Sequence, residues 1–588
     1  MLKNELMLMS EKHIDYVKPF ERLFKLLYLF KRDILYIYVY AFFNGIITLS
    51  LPLGIQAIIS IITSQQISTS WFVLVLVISI GIVLSGILSI FQYSIIENIQ
   101  QNVFARSALD FSHRIPRFKP DSIYKYYPPQ LINRFFDVIN VQKGLPKIIM
   151  DFATSALQII FGLILISFYH SLFVVFGLIL ITCLLLLFYF TFRPSLKTSL
   201  EESNYKYEVA GWLQELARTM ATFKLAGFNY LSYDKTDAGT VKYIKARKAH
   251  FRMNLYLYLG NTLFKTFITA TLLVLGSYLV IAQEINIGQF VAAEIIVLLI
   301  ANSVDKFVSG MPIIYDTLTA LEKIGYVTDI RLENVGGHKF EDYCIDNKLD
   351  IILNDLSYIF PDTSNYVLKN VSITIKSGEK LCILGNKGSG KSTLINFICG
   401  FYDKFEGQML YNNIPLSGID LDSLRTNIGD NTRDQDIFFG SISDNITVGL
   451  ETKQERINEI LTICGLDKFV YSQIDGLDTI LHHEGRKLSR TIIKKIILAR
   501  SIIKNPSILL FDEYDFDFDK EEKIRIINYL TSPERTWTIV ANTLDYEFIK
   551  HCDRIVVFNN GSIQDDFLIN ELDSKEEFLK MLKKESNI

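Results

Sequence analysis

Apolar residues crowd the first half of this chain in runs that strand alternation and ordinary amphipathic helices do not produce. Six stretches stand out, near 33–60, 71–96, 149–169, 171–192, 256–282 and 287–310. Each has about 20 or more predominantly apolar residues, the length a helix needs to cross the hydrocarbon of a bilayer. The intervals between them alternate in length and charge. IITSQQISTS (61–70), the turn at His170 and QEIN (283–286) are short and carry no Lys or Arg. Residues 97–148 and 193–255 are long and basic, with Lys242, Lys245, Arg247, Lys248 and Arg252 in the second, and Lys25, Lys31 and Arg32 precede the first span. Positive residues stay on the cytoplasmic side, so both termini and the two long connections are expected there.

The long connections keep an apolar periodicity, as in WLQELARTMATFKLAGF (212–228), that solvated loops would lack. Read as helices of about 25 residues beyond the bilayer, they reach nearly 40 Å at 1.5 Å per residue. Levers of that length suit contact with a cytoplasmic motor. Among the ionisable residues inside the spans, Glu294 and Lys265 are the functional candidates. Glu294 is expected to face a polar cavity, with a substrate or proton role, or else to pair with a hydroxyl or another helix. Lys265 is expected to snorkel towards the cytoplasmic interface, and a depth difference of about 15 Å argues against a Lys265–Glu294 pair.

From about residue 330 the pattern changes to alternating strands and helices with frequent Asp, Asn and Gly. In LCILGNKGSGKSTLINFICG (381–400) a buried strand runs into Gly385, Asn386, Lys387, Gly388, Ser389, Gly390, Lys391, Ser392 and Thr393, then into an apolar helix. This is GxxxxGK[ST] in a strand–loop–helix setting. Glycines let backbone N–H groups approach phosphates, and the helix N-terminus favours their charge. Lys391 is expected on the β and γ phosphates of ATP, and the Ser392 hydroxyl on Mg²⁺. A second strand, SILLFDE (507–513), ends in Asp512, suited to the same Mg²⁺, and Glu513, suited to polarise an attacking water.

This order of motifs resembles the ATP-binding cassette family over essentially the whole chain. The resemblance implies a fold: an all-α six-helix transmembrane domain followed by an α/β P-loop nucleotide-binding domain. The expected boundaries are a cytoplasmic segment 1–32, a transmembrane domain 33–325, a linker 326–348 and a nucleotide-binding domain 349–588. Phe360, in LSYIFPD, matches the aromatic that stacks on adenine; LSRTIIKKIILARSIIKNPSILLFDE (488–513) is similar to the signature helix; Asp519, in DFDFD, matches the family's D-loop aspartate. LSLPLGIQAII and NIGQFVAAEI look like the exporters of protein and peptide secretion systems. With about 30 residues before the first span, the peptidase-like domain of some such exporters is not expected.

Three positions depart from the family pattern. Where LSGGQ is usual, this chain has Leu488, Ser489, Arg490, Thr491 and Ile492. Arg490 brings bulk where backbone should approach phosphate, or else supplies charge to it. Asn542 stands where the switch histidine should be, and can hydrogen-bond a phosphate but not carry a proton near neutral pH. Arg433 occupies the Q-loop position, with Gln435 two residues later. ATP-Mg²⁺ binding with slowed turnover is the expectation.

Composition adds little. Hydrophobic residues make up 49%, an excess that the six spans account for. A net charge of −3 offers no electrostatic case for a nucleic acid partner. The six cysteines form no CxxC pair, so free thiols are expected, and no cleavable signal peptide is apparent. Six spans and one nucleotide site imply a second half-transporter, identical or, as the preferred reading, different. A periplasmic adaptor and an outer-membrane channel follow from the resemblance alone. Export by a half-transporter in the cytoplasmic (inner) membrane is the leading function, with peptide or protein ahead of lipid or drug as cargo. An ATP-binding, barely hydrolysing scaffold of a secretion assembly is the alternative. A soluble ATPase or DNA-repair motor is excluded by the spans.

Overall fold

The computed structural model describes residues 17–63, 69–124, 127–227, 230–344, 348–361, 363–432 and 437–574. Its contacts divide the chain into two compact units, one of residues 1–117 with 125–330, the other of 118–124 with 331–588.

The first unit is helical. An amphipathic helix α1 (Val17–Leu29) precedes α2 (Lys31–Thr63) and α3 (Thr69–Arg114). Then come α4 (Asp137–Pro146), a π turn at Lys147–Asp151, and α5 (Phe152–Ser167). Three long helices complete it: α6 (Ser171–Arg218), α7 (Leu231–Ile281) and α8 (Ile287–Thr328). Among the described residues six helices are long and apolar enough to cross a membrane, one for each predicted stretch. On α3, Phe72, Val77, Ile80 and Val83 are exposed, as expected of a face solvated by lipid rather than water.

The long connections are helical as predicted. Residues 193–218 continue α6 and residues 231–255 open α7 without a break. Glu208–Lys242 and Glu202–Arg247 ion pairs, each 2.9 Å, tie these two extensions together. The helix expected over 212–228 is interrupted at Thr219, where α6 ends and a short helix, Met220–Leu225, follows; Phe228 lies outside the described residues. The short turns on the opposite side have defined caps. Asn286 Oδ1 accepts from Gln289 N and Gln289 Oε1 from Asn286 N, both at 2.8 Å, which starts α8. His170 caps α6 through Nδ1 and its Nε2 lies 2.7 Å from Glu284. The core runs along α8, where Ile296, Ile300, Val304, Val308 and Leu318 are buried in one cluster with Ile268 and Leu272 of α7.

Lys265 corrects an expectation. It does not reach away along its helix but forms an ion pair with Asp305 of α8, whose other oxygen accepts from Asn261 Nδ2 at 2.6 Å. The reason is depth: Lys265 lies 17 residues before Ala282 and Asp305 lies 18 after Ile287, so the two helices place them level. A charge near apolar surroundings is held more cheaply by an opposite charge than by stretching to water. Glu294 does not pair with Lys265; it is half-buried and makes no hydrogen bond among the described residues.

The second unit carries two main sheets. The antiparallel one contains β1 (Ile351–Ile359), β2 (Tyr366–Ile375), β4 (Glu406–Tyr411) and β5 (Ile414–Pro415), in the order β2-β1-β4-β5. The other contains β3 (Lys380–Gly385), β6 (Ile428–Asn431), β7 (Ile508–Asp512), β8 (Thr538–Asn542), β9 (Arg554–Asn559) and β10 (Ser562–Leu568). Its order is β10-β9-β3-β8-β7-β6, parallel except for β10. Helices α9 (Lys391–Ile398), α10 (Gln454–Cys464), α11 (Arg490–Ile503) and α12 (Lys520–Thr531) pack around them. The central strands read as unbroken apolar runs because both faces are covered: Leu381, Cys382, Ile383, Leu509, Leu510, Ile539 and Val540 are all fully buried.

Candidate nucleotide site

The C-terminal ends of parallel β3, β7 and β8 lie side by side, and each delivers a polar residue to the same edge. After β3 the chain turns through Gly385 at φ +140° and Gly390 at φ +101°, the latter capping α9. A Cβ on Gly385 would stand 2.1 Å from the carbonyl oxygen of Phe558, and one on Gly390 would stand 2.7 Å from that of Val367. Only glycine fits either place, so the loop wraps tightly with its N–H groups available.

Lys391, at the first turn of α9, is buried, and its Nζ donates to the carbonyls of Gly385 (2.8 Å) and Asn386 (2.9 Å). Burial pushes its pKa below the ordinary lysine value, partly offset by the carboxylates of Glu513 and Asp512. Ser392 Oγ donates to Asp512 Oδ1 at 3.0 Å, and Asn542 Nδ2 donates to the same oxygen at 2.6 Å. β7 and β8 pair Asp512 with Asn542 directly, which is why the two meet. Glu513, exposed and at φ +48°, turns the chain sharply at the end of β7. Asn386, Lys387, Gly388, Ser389 and Thr393 complete the loop, with Ser389 and Thr393 buried.

Ser392 and Asp512 suit a magnesium ion. Hydroxyl and carboxylate oxygens are the hard ligands it prefers, and the remaining positions are ordinarily taken by phosphate and water. No cluster of three His, Cys, Asp or Glu that could hold a metal ion occurs among the described residues.

The other expected residues are placed apart from this group. Ser489 caps α11, its Oγ accepting from Ile492 N at 3.3 Å, and leaves Arg490 exposed at the first turn. Asp519 precedes α12 without a capping bond. Neither hydrogen-bonds the Lys391 group among the described residues. Arg433 and Gln435 lie outside the described residues. Phe360, just after β1, is half-buried in an aromatic cluster with Tyr358 (centroids 5.1 Å apart) and Tyr402 (6.0 Å). One neighbour of Phe360 was not anticipated. Tyr124, from 118–124, stacks on it with centroids 5.9 Å apart and planes 19° from parallel. The only signal was the aromatic run in SIYKYYPP, which span-oriented patterning treats as part of a connection.

Comparison with known proteins decides the family. Residues 368–515 match the family model described as ABC transporter, and residues 34–304 match the ABC transporter transmembrane region. The chain belongs to the ABC transporters. As an ABC transporter chain it is a multi-pass membrane protein whose second unit is an ATPase domain, a class that binds ATP, typically with Mg²⁺. It is 29% identical over 354 residues to the alpha-hemolysin translocation ATP-binding protein HlyB of Escherichia coli O157:H7, covering 59% of this chain and 49% of that one. Identity to the ATP-dependent lipid A-core flippase of Francisella tularensis is also 29%, over 43% of this chain and 41% of that one. A putative export ATP-binding/permease protein of Rickettsia bellii is 23% identical over 83% of this chain and 85% of its own length. The chain spans about half the length of the curated relatives it matches first, 49% and 52%. In fold it resembles a bacterial Atm1-family ABC exporter with ATP bound: TM-score 0.81, 16% identity, 95% of this chain and 98% of that one.

Proposed function

We propose that this ABC transporter chain is one half of a dimeric, ATP-driven exporter in the cytoplasmic membrane, with slowed hydrolysis. The observation that carries the reading is the convergence of Lys391, Ser392, Asp512 and Asn542 on one edge of the sheet, on a chain with six apolar helices. Loop 385–392 and Lys391 hold the triphosphate, Phe360 stacks on the base, and Ser392 with Asp512 hold Mg²⁺. The metal, when bound, neutralises charge on the transferred phosphoryl group. Glu513 takes the proton of the attacking water. Ser489 and Asp519 serve the site of a second half-transporter, which the preferred reading makes a different chain because a partner's intact signature would repair the worst defect.

Slowed hydrolysis rests on Asn542 and Arg490. The Asn542 amide donates to Asp512 and has no proton to relay, so it orients the carboxylate without helping charge transfer. Loss of one transition-state contact costs about a hundred- to a thousand-fold in rate. The cargo class we favour is a peptide or protein, because the match to the hemolysin translocation protein extends over 59% of the chain against 43% for the lipid A-core flippase. An adaptor and an outer-membrane channel belong to that reading.

The test is steady-state ATPase activity of the full chain in lipid, alone and with any subunit that co-purifies. The wild type should exceed Glu513→Gln measurably, and Asn542→His should raise the rate about tenfold or more at unchanged ATP affinity. Equal rates for wild type and Glu513→Gln under every condition would leave the scaffold reading in place of transport.

A further inference from the structure

A cavity of about 470 Å³ lies within the second unit, bounded by the turn after α9, by β4, by β5 with the turn that follows it, and by residues 119–121. It shares no residue with loop 385–392, and Asp512, Glu513 and Asn542 do not line it. Its volume falls in the range that holds small organic molecules. Much of the lining is apolar, with Met409, Leu416 and Ile419 buried and Phe401, Tyr402 and Leu421 half-buried. The aromatic wall is braced from behind. Tyr402 packs on Phe397 and on Tyr358, with ring centroids 5.0 and 4.8 Å apart.

Four charged residues also line the cavity: Lys119, Asp121, Asp403 and Glu333. Glu333 is satisfied by Arg425, which donates to its two carboxylate oxygens at 2.5 and 2.8 Å. Asp403 is satisfied by Lys119. Among the described residues Asp121 has only the Tyr358 hydroxyl, at a long 3.5 Å. Burial and the neighbouring Asp403 raise the Asp121 carboxyl above its ordinary pKa, and Lys404, Tyr358 and Lys119 offset them only in part. The unmatched charge on this wall is therefore negative, and a cation completes it.

The surroundings decide which cation. One free carboxylate among apolar side chains offers too few oxygen ligands for Mg²⁺ or Ca²⁺. An ammonium group on an apolar body uses both parts of the lining. Its N–H groups make a charge-assisted hydrogen bond to a carboxylate, and its body covers aromatic and aliphatic surface that water solvates poorly. We propose that this cavity binds a small lipophilic amine, with the protonated nitrogen on Asp121 and the apolar body against Phe401, Tyr402 and Leu421. The site is independent of the reading of loop 385–392.

The experiment uses the full chain in lipid nanodiscs, as wild type, Asp121→Asn and Leu421→Trp, with empty nanodiscs of the same lipid as the blank. Three probes of similar shape carry a cationic, a neutral and an anionic end: phenethylamine, phenethyl alcohol and hydrocinnamate. Saturation-transfer NMR titrates each of them. Wild type should bind the amine about tenfold more tightly than the alcohol, and hydrocinnamate more weakly than either. Asp121→Asn should abolish the preference for the amine and leave the alcohol unchanged, while Leu421→Trp should weaken both by filling the space. Equal amine binding in wild type and Asp121→Asn overturns the proposal, as does equal binding of amine and alcohol by the wild type. An amine signal no larger than that of empty nanodiscs overturns it too, since the probe is then in lipid only. If Leu421→Trp lowers the Tm of the protein, the Asp121→Asn comparison decides by itself.

Discussion

Lys391 shows how one side chain is prepared for a polyanion. Its ammonium is taken out of water and held by two carbonyls, neutral acceptors that a phosphate outcompetes. Because burial lowers its pKa below 10.5, this lysine loses its proton before exposed lysines do. The sign is therefore set. ATP affinity should fall as pH rises through that lowered pKa, while fold stability gains over the same window, since the unfolded chain binds the extra proton. A titration of ATP binding at alkaline pH should show this limb in the wild type and its displacement to higher pH in Lys391→Arg, whose guanidinium keeps its charge. A limb unmoved by Lys391→Arg would assign it to another group. Of the residues at this edge, Lys391, Ser392 and Asp512 were legible from spacing alone, because the loop and the strand ends impose their geometry. The stack of Tyr124 on Phe360 was not legible, since no local pattern relates residue 124 to residue 360.

At the scale of elements, α1 offers a clear case of packing that depends on a missing side chain. Arg22 pairs with Glu322 and, at 2.6 Å, with Asp329, both near the end of α8. Its guanidinium fits because residue 325 is glycine: a Cβ there would stand 2.1 Å from Arg22 Cζ. Gly325→Ala should expel the arginine and break both pairs at once, leaving α1 held by Leu23 and Phe20. Trypsin should then cleave between Val17 and Leu29 on the order of fivefold faster, the effect of about 1 kcal/mol on local opening. An unchanged cleavage rate would show that apolar contact alone seats α1. The apolar runs announced the six long helices, and their extensions followed from periodicity. What they could not announce was the partner of Lys265, because two residues on different helices become level only once both helices start from capped turns at the same edge.

For the whole molecule, the hydrophobic interior is divided: one core runs through the first unit, and the cores of the second contain no residue of the first. Calorimetry of the intact chain in lipid should therefore resolve two transitions. ATP at a hundredfold excess over its Kd should stabilise only one of them, by about 2.7 kcal/mol, and Lys391→Ala should abolish that shift. A single transition moving as one would contradict the division. This two-part organisation was legible from the change of pattern near residue 330, whereas the assignment of 118–124 to the second part was not, since covalent neighbours on both sides belong to the first. The thiols add a practical consequence. All six cysteines are free and five are buried, with Cys464 pushed up to about 12 by burial, so they react poorly. A reporter cysteine introduced at fully exposed Ile474 would then take a fluorophore or spin label ahead of the native sulfurs, and spectroscopists could follow this protein without first stripping it of its own.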